Sequence, residues 1–297
     1  MKRRCPYPGA HHAIVIHRAV SVVPTLLAGA SMCGVFVLLA DRRAVGGPGT
    51  DAAAAGQHHR SWWQTRKVLP TRYSGCDSLR GSRWIAWRQL PVEFPPASTV
   101  YGIFARRVHA GVWRRIHDAL RDRLRVRSGR DRCPTAAIID SQTVPGADTV
   151  PRSRRGWDGG KRTNGVKRHV AVDVTGLLLG VVVTAASIQD RDAAHRLLAA
   201  LRGSFSTIRL IWADGVYPGR LLGWAKSVLT LRVEIIKRRP GSTGFHVRPR
   251  VWVVERTFTW IVKHRRRVGA YESRPDHHEA VIHIAMIGVM SRRLART

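Results

Sequence analysis

The amino-acid sequence predicts a mixed α/β fold, in which an antiparallel meander precedes parallel strands. Apolar runs of strand length lie at 136–144, 208–217 and 232–238. Two further apolar stretches within 167–187 flank turn-forming residues at 173–176, which is typical of a β-hairpin. Segments with helical periodicity separate the later strands, and this alternation is typical of parallel additions to a sheet.

The helices of this core are expected between and after the strands. Residues 190–203 have helical spacing and end at Gly203, which favours a helix C-terminus. Pro218 is tolerated in the first turn of a following helix. Residues 250–267 are long enough for a final helix. The predicted order is β, β, β, α, β, α, β, α, with a loop over 145–165.

A small helical segment is predicted ahead of the core, at 84–130. Ser98 or Thr99 can cap a first helix, Gly111 ends it, and a second helix follows. A helix–turn–helix with a basic exterior would contact DNA, but an ordinary helical hairpin with solvated arginines has the same pattern. Both interpretations remain open. The apolar positions are Val100, Phe104 and Val108 in the first helix and Trp113, Ile116, Leu120 and Leu124 in the second.

Residues 1–83 form an atypical region without sustained periodicity, either disordered or mistranslated. The uncharged run at 19–40 is long enough to span a bilayer or to form the core of a signal peptide. Pro24 and Gly29 oppose a helix there. The alternative is translation from an upstream or shifted reading frame, fused to the core. We favour this alternative and expect no membrane partner.

Charge indicates the class of partner. The chain has 51 Lys and Arg residues against 19 Asp and Glu residues, which gives a formal net charge of +32. Such a particle attracts polyanions. Nucleic acid is therefore the first expected partner, and an anionic membrane surface is the second. The four cysteines form no CxxC pair, so a zinc knuckle has little support.

Three acids stand out because each borders an apolar run. Asp140 and Asp214 lie at predicted strand ends, and Glu255 lies inside the last predicted helix. Carboxylates beside buried segments need a partner or a metal, and ligands gather at the carboxyl ends of strands in open α/β sheets. The three acids would hold two Mg²⁺ ions, with Mn²⁺ as the alternative. Such a pair of ions suits phosphodiester cleavage and strand transfer.

Each acid also has an ordinary interpretation. A strand-end aspartate is commonly a turn or cap residue, and Glu255 beside Arg256 would form a surface ion pair of little energetic value. Asp173 is a competing candidate, but its Val-Asp-Val-Thr-Gly context is typical of a hairpin turn. Spacing and context together favour the functional interpretation for Asp140, Asp214 and Glu255.

Four segments resemble the DDE transposases of bacterial insertion sequences, specifically the insertion-sequence-five group. They are IIDSQTV, GWDGGKRTNGVKRHVAVDVTGLLLGVVVTAASIQDRD, IWADGVY and WVVERTFTWIVKHRRR, and the resemblance covers about residues 84–297. It implies an RNase H-like core at 131–297, a divalent-metal acid triad, and cleavage and joining of DNA at terminal inverted repeats. Asp140 and Asp214 match the two aspartates of that group, and Glu255 matches its glutamate.

The resemblance also implies the partners: double-stranded DNA, as terminal inverted repeats and as target, and a homo-oligomer assembled on it. It implies a location in the bacterial cytoplasm, at the nucleoid. The group often has basic residues four before and seven after the glutamate; Val251 and Val262 occupy those positions here. The alternative function is therefore a catalytically inactive, DNA-binding transposase remnant. The residues expected to contact DNA are Arg248, Arg250, Arg256, Lys263, Lys161, Arg162, Lys167 and Arg168.

Overall fold

The computed structural model describes residues 87–89, 95–236, 250–263 and 268–296. Three features predicted above lie outside these residues: the N-terminal region 1–83, its apolar run at 19–40, and Arg248. In the described part of the chain, no helix is both long enough and apolar enough to cross a lipid bilayer.

A mixed sheet forms the centre of the described structure, as the sequence predicts, and it has six strands instead of the five expected. The strand order is β2-β3-β1-β5-β6, and β4 pairs with β3. Strands β2, β3, β4 and β1 are joined by antiparallel pairings, whereas β1, β5 and β6 run parallel. The strands are β1 (Ala136–Pro145), β2 (Gly156–Asp158), β3 (Thr163–Val172), β4 (Leu178–Ala185), β5 (Leu210–Ala213) and β6 (Arg232–Ile235).

Helices cover both faces of this sheet. Ile138 on β1 and Trp212 on β5 belong to one apolar cluster, which also includes residues of α1, α2, α5 and α6. Their neighbours in sequence point the other way and join a second cluster with α3 and α4, because side chains alternate along a strand. The helices are α1 (Ala97–His109), α2 (Val112–Arg127), α3 (Asp190–Ser204), α4 (Arg220–Leu229), α5 (Val251–Val262) and α6 (Pro275–Ala295).

Helices α1 and α2 pack into the core instead of standing apart from it. Gly111 adopts φ 64° between them, which explains the predicted break. Trp113 and Leu120 of α2 join the same apolar cluster as α6. Arg121 and Arg125 are also buried, bonded to Asp118 and Asp122 and to Asp173 respectively. The predicted helical segment is therefore an integral layer of the fold, and its contact with DNA stays a prediction.

Four local expectations need correction. Helix α1 begins after Pro96 and has no side-chain cap, so neither Ser98 nor Thr99 caps it. Strand β1 continues five residues past Asp140, because its polar part pairs with β3 as far as Pro145. The expected loop at 145–165 contains β2 and the start of β3. The long C-terminal helix α6 was not predicted.

Candidate active site

Asp140 and Asp214 occupy equivalent positions on neighbouring parallel strands. The pairing of β1 with β5 joins Ala136 to Leu210 and Ile138 to Trp212. The pairing ends at Ile138 and Trp212, and Asp140 and Asp214 each lie two residues further along the chain. Adjacent strands lie about 4.7–4.9 Å apart, so both carboxylates project from one small area of the sheet.

The helix that carries Glu255 covers the same face. Asp140 lies two residues beyond Ile138, and Asp214 lies two residues beyond Trp212, so both aspartates point to the side of the sheet occupied by α5. Helix α5 packs against β1 and β3. Glu255 is exposed on this helix, whereas Val254 beside it is buried.

The three acids are not drawn together into one cluster. Among the described residues, no group of three or more His, Cys, Asp or Glu side chains is close enough to hold a metal ion. Asp140 and Asp214 are half-buried and each lie two residues beyond the last paired residues of β1 and β5, while Glu255 stands exposed on the covering helix. The structure thus brings two of the predicted residues together and leaves the third on a neighbouring element.

Backbone donors orient both aspartates. The Ser141 N–H donates to Oδ1 of Asp140 at 2.7 Å, and the Val216 N–H donates to Oδ1 of Asp214 at 3.1 Å. Each carboxylate is thereby held next to the end of its own apolar run. Two neighbouring carboxylates provide the oxygen donors that hard divalent cations prefer. The donor chemistry of the pair therefore fits such a cation.

Tyr217 supports this pair from the opposite face of the sheet, and sequence reasoning missed it. Its side chain is 1% exposed, and a hydrogen bond joins its hydroxyl to the side chain of Ser141. Burial, together with the negative charges of Asp140, Asp190 and Asp214, raises the pKa of Tyr217 well above its ordinary value. The phenol is therefore neutral at physiological pH. The sequence feature that could have identified Tyr217 is its position three residues after Asp214.

A polar network extends from Tyr217 along the same face. Lys167 Nζ lies 3.3 Å from Asp190 Oδ1 and 3.6 Å from Asp158 Oδ2, and it donates to the Ile188 carbonyl at 3.1 Å. His169 is buried beside Asp190 and lies 2.9 Å from the Thr184 hydroxyl. Burial lowers the pKa of His169 to about 4. These ionisable groups lie on the face of the sheet opposite the two aspartates.

Two of the predicted DNA contacts are interior residues. Lys167 is the buried partner of Asp158 and Asp190. Arg168 is 0% exposed; its Nε donates to His278 Nε2 at 2.8 Å and its Nη2 donates to the Gly269 carbonyl at 3.1 Å. Burial lowers the pKa of Arg168 to about 9. The predicted DNA contact is corrected for both residues, because DNA phosphate cannot reach either side chain in this fold.

The residues near Glu255 that are predicted to contact DNA are either packed against the protein or exposed. Arg256 lies over the rings of Trp252 and Trp260, at 4.4 and 4.8 Å from their centroids, and donates to the Thr175 carbonyl at 3.1 Å. These contacts hold Arg256 against the protein. Arg250 and Lys263 are exposed at the two ends of α5, and the Arg250 guanidinium lies 4.2 Å from the Trp212 ring.

The remaining predicted contacts, Lys161 and Arg162, are exposed at the turn between β2 and β3. The competing acid Asp173 is fully buried at the turn between β3 and β4. Its Oδ1 accepts hydrogen bonds from the N–H groups of Thr175 and Leu177, both at 2.9 Å. Its turn role, which the sequence predicts, is therefore confirmed.

Comparison with known proteins decides the family. Residues 131–288 match the family described as "Transposase DDE domain", which is more than half of the chain. This chain belongs to the DDE transposase family. The transposase is also 30% identical over 166 residues to the "Putative transposase for insertion sequence element IS402" of Burkholderia cepacia; the matched region covers 52% of this chain and 76% of that relative. Two predictions are thereby confirmed: the resemblance to insertion-sequence transposases, and the mixed α/β core consistent with an RNase H-like fold. Membership implies, in general terms, a nuclease of transposition that acts on DNA with divalent metal.

Proposed function

We propose that this transposase cleaves DNA at the ends of an insertion sequence and joins the freed 3′ ends to target DNA. The observation that supports the proposal is the parallel pairing of β1 with β5, because Asp140 and Asp214 each lie two residues beyond the last paired residues, Ile138 and Trp212. Two carboxylates side by side at a strand edge, next to basic surface residues, suit a phosphodiester substrate. A double-stranded terminal inverted repeat is the expected substrate, and a homo-oligomer assembled on DNA at the bacterial nucleoid is the expected working form.

Asp140 and Asp214 would hold the cation through carboxylate oxygens that the Ser141 and Val216 N–H groups orient. When bound, two Mg²⁺ ions would supply activation of the attacking oxygen and stabilisation of the leaving oxygen. Glu255 would provide the third carboxylate from the helix that covers this face of the sheet. No covalent bond between the protein and DNA is needed.

The exposed basic residues would hold the substrate against these acids. A carboxylate pair repels DNA phosphate, so cationic side chains must lie nearby to offset the repulsion. Arg250 and Lys263 stand at opposite ends of the helix that bears Glu255. We assign them to the DNA close to the cleaved bond, and we assign Lys161 and Arg162 to DNA further along the sheet.

The test is cleavage of a DNA fragment that carries one terminal repeat, taken from the DNA that flanks the reading frame. Asp140→Ala should abolish Mg²⁺-dependent cleavage and leave DNA binding largely intact. Asp148→Ala is the matched control, since Asp148 is a fully exposed aspartate on the loop after β1, and it should cleave like the wild type. Retained Mg²⁺-dependent cleavage in Asp140→Ala would refute the assignment.

The second candidate function is a DNA-binding remnant without catalysis. It is favoured by Val251 and Val262, which stand where the resembled group often has basic residues. This candidate predicts that the wild type binds DNA without sequence preference, with a steep dependence on salt, and cleaves none. A footprint confined to a terminal repeat, or metal-dependent cleavage, would exclude it.

A further inference from the structure

We infer that the β-hairpin of β2 and β3, residues 156–165, is a DNA-contacting arm at the edge of the transposase core and presents Trp157 to the double helix. The inference rests on the proposed function, because it names a surface that would hold the same DNA. We call residues 156–165 the arm. No role for Trp157 follows from the acid triad or from the family comparison.

The base of the arm adjoins the end of β1 beyond Asp140. Strand β1 continues to Pro145, which pairs with Gly165 at the base of the arm. Two more residue pairs, ending with Asp158 and Thr163, lead to the tip. The tip turns back towards β1, because the Asp158 carboxylate accepts a hydrogen bond from the Thr143 hydroxyl. Thr143 lies three residues beyond Asp140, so at about 3.3 Å per residue the tip lies roughly 10–15 Å from Asp140. This distance corresponds to about three or four base pairs of duplex DNA.

The base of the arm is too crowded to move freely. Gly156 pairs with Gly165, and neither position has space for a side chain. A Cβ at Gly165 would lie 2.0 Å from the Val144 carbonyl oxygen, and a Cβ at Gly156 would lie 2.4 Å from the Ser187 hydroxyl. The two glycines thus allow the strands to pack tightly where the arm leaves the core.

Asp158 fixes the tip to the core. Its Oδ1 accepts hydrogen bonds from the Gly160 and Lys161 N–H groups at 3.0 and 3.1 Å. Its Oδ2 accepts one from the Thr143 hydroxyl at 2.5 Å and lies 3.6 Å from Lys167 Nζ. The turn is therefore internally braced and tied to both β1 and β3. The exposed side chains of this turn are therefore held in a defined arrangement.

The exposed side chains at the tip are of the types that commonly contact DNA. Trp157 is 58% exposed and pairs across the hairpin with the exposed Asn164. Lys161 and Arg162 are exposed at the turn. Burying an aromatic ring stabilises an interface strongly, yet the protein leaves this ring in water beside two cations. A two-stranded ribbon fits the major groove, where the cations would contact phosphate and the indole would contact base edges or sugar.

The experiment measures the affinity of the full chain for a linear double-stranded DNA fragment over a range of salt concentrations, without divalent metal. Lys161→Ala/Arg162→Ala should weaken binding roughly tenfold and reduce the slope of log affinity against log salt by about 2, one unit for each lost phosphate contact. Trp157→Ala should weaken binding with little change in slope, because the ring carries no charge, and Trp157→Phe should restore most of the affinity.

The matched control is Arg130→Ala/Arg132→Ala. It removes the same charge from two exposed arginines that precede β1, at the end of the strand away from the arm. It should change affinity and slope much less than the tip variant. Equal losses in the tip and control variants would overturn the inference, because net charge alone would then explain binding. Unchanged affinity in Trp157→Ala, or a loss seen only with single-stranded DNA, would overturn it as well.

The outcome separates this inference from the proposed function. The variants are read by binding alone, whereas Asp140→Ala tests cleavage. If the wild type and Asp140→Ala bind DNA equally but the tip variant matches its control, the arm is wrong and the active site stands. If the wild type binds no DNA, both fail. Circular dichroism should show the wild-type fold for the tip, Trp157 and control variants, since each side chain replaced in them is exposed.

Discussion

Aspartates lie beside the start of strand β1 and near its middle, and the two regions use them differently. Asp173, level with the start of β1, is fully buried, accepts hydrogen bonds from its own turn and pairs with the buried Arg125. Asp140 and Asp214, further along, are half-buried and each accept from a nearby backbone N–H. Position at a strand end therefore does not identify a catalytic acid. What separates the two regions is whether the fold encloses the carboxylate.

The largest expected effect is on catalysis at Asp214. Asp214→Asn keeps the size of the side chain and removes the negative charge that a cation requires. We expect cleavage of terminal-repeat DNA to fall by about a thousandfold, or about 4 kcal/mol in the barrier. Stability should change by less than about 1 kcal/mol, as for other partly exposed sites. Single-turnover cleavage and urea unfolding measure the two quantities. A variant that unfolds easily but still cleaves would reverse the comparison.

The same substitution at Asp173 should lower stability strongly and leave the rate of cleavage nearly unchanged. Asp173→Asn leaves the guanidinium of Arg125 buried opposite a neutral amide. Removing one partner of a buried ion pair costs about 3–5 kcal/mol, so the free energy of unfolding should fall by that amount. The fraction that remains folded should cleave DNA at a rate close to that of the wild type. If Asp173→Asn were stable and inactive, Asp173 would belong to the catalytic group.

The smallest expected effect is on stability at low pH, through His169 on the face of the sheet opposite the two aspartates. Burial lowers the pKa of His169 to about 4, against about 6.5 in the unfolded chain. The folded state therefore binds fewer protons than the unfolded state between these values. The contribution of His169 to stability is present above about pH 6.5 and is lost as the pH falls towards 4. At pH 5 the loss should be on the order of 1–2 kcal/mol.

Urea unfolding at pH 7 and pH 5 measures this loss, with His169→Gln as the comparison. The variant has no imidazole to protonate, so its stability should fall less between the two pH values than that of the wild type. An identical pH dependence in both proteins would mean that His169 is accessible to water or protonated in the folded state.

Sequence reasoning succeeded where a feature depends on residues close together in the chain. The hairpin turn follows from Asp173 and Gly176, which adopts φ 84°. The break at Gly111 is equally local. The two strand-end aspartates were visible because each follows an apolar run. The parallel pairing of β1 with β5, which brings the two aspartates near each other, was not predicted and came from the tertiary structure.

Only the tertiary structure decided which charged residues are interior. Lys167 and Arg168 have the same sequence character as Lys161 and Arg162, yet the first pair is buried and the second is exposed. The difference comes from Asp190 and His278, which are distant in sequence and supply the partners that a buried cation needs.

The same holds for α6 and for the polar part of β1. Helix α6 is buried on several sides by α1, α2, α5 and β4, so it lacks the single apolar stripe that identifies a surface helix. Residues 141–145 of β1 lack a strong apolar pattern and are held as a strand by pairing with β3. The sequence by itself determined the family, the order of most strands and helices, and the candidate acids. The tertiary structure decided which charges are enclosed and which remain available to DNA, because burial depends on partners that only folding brings together.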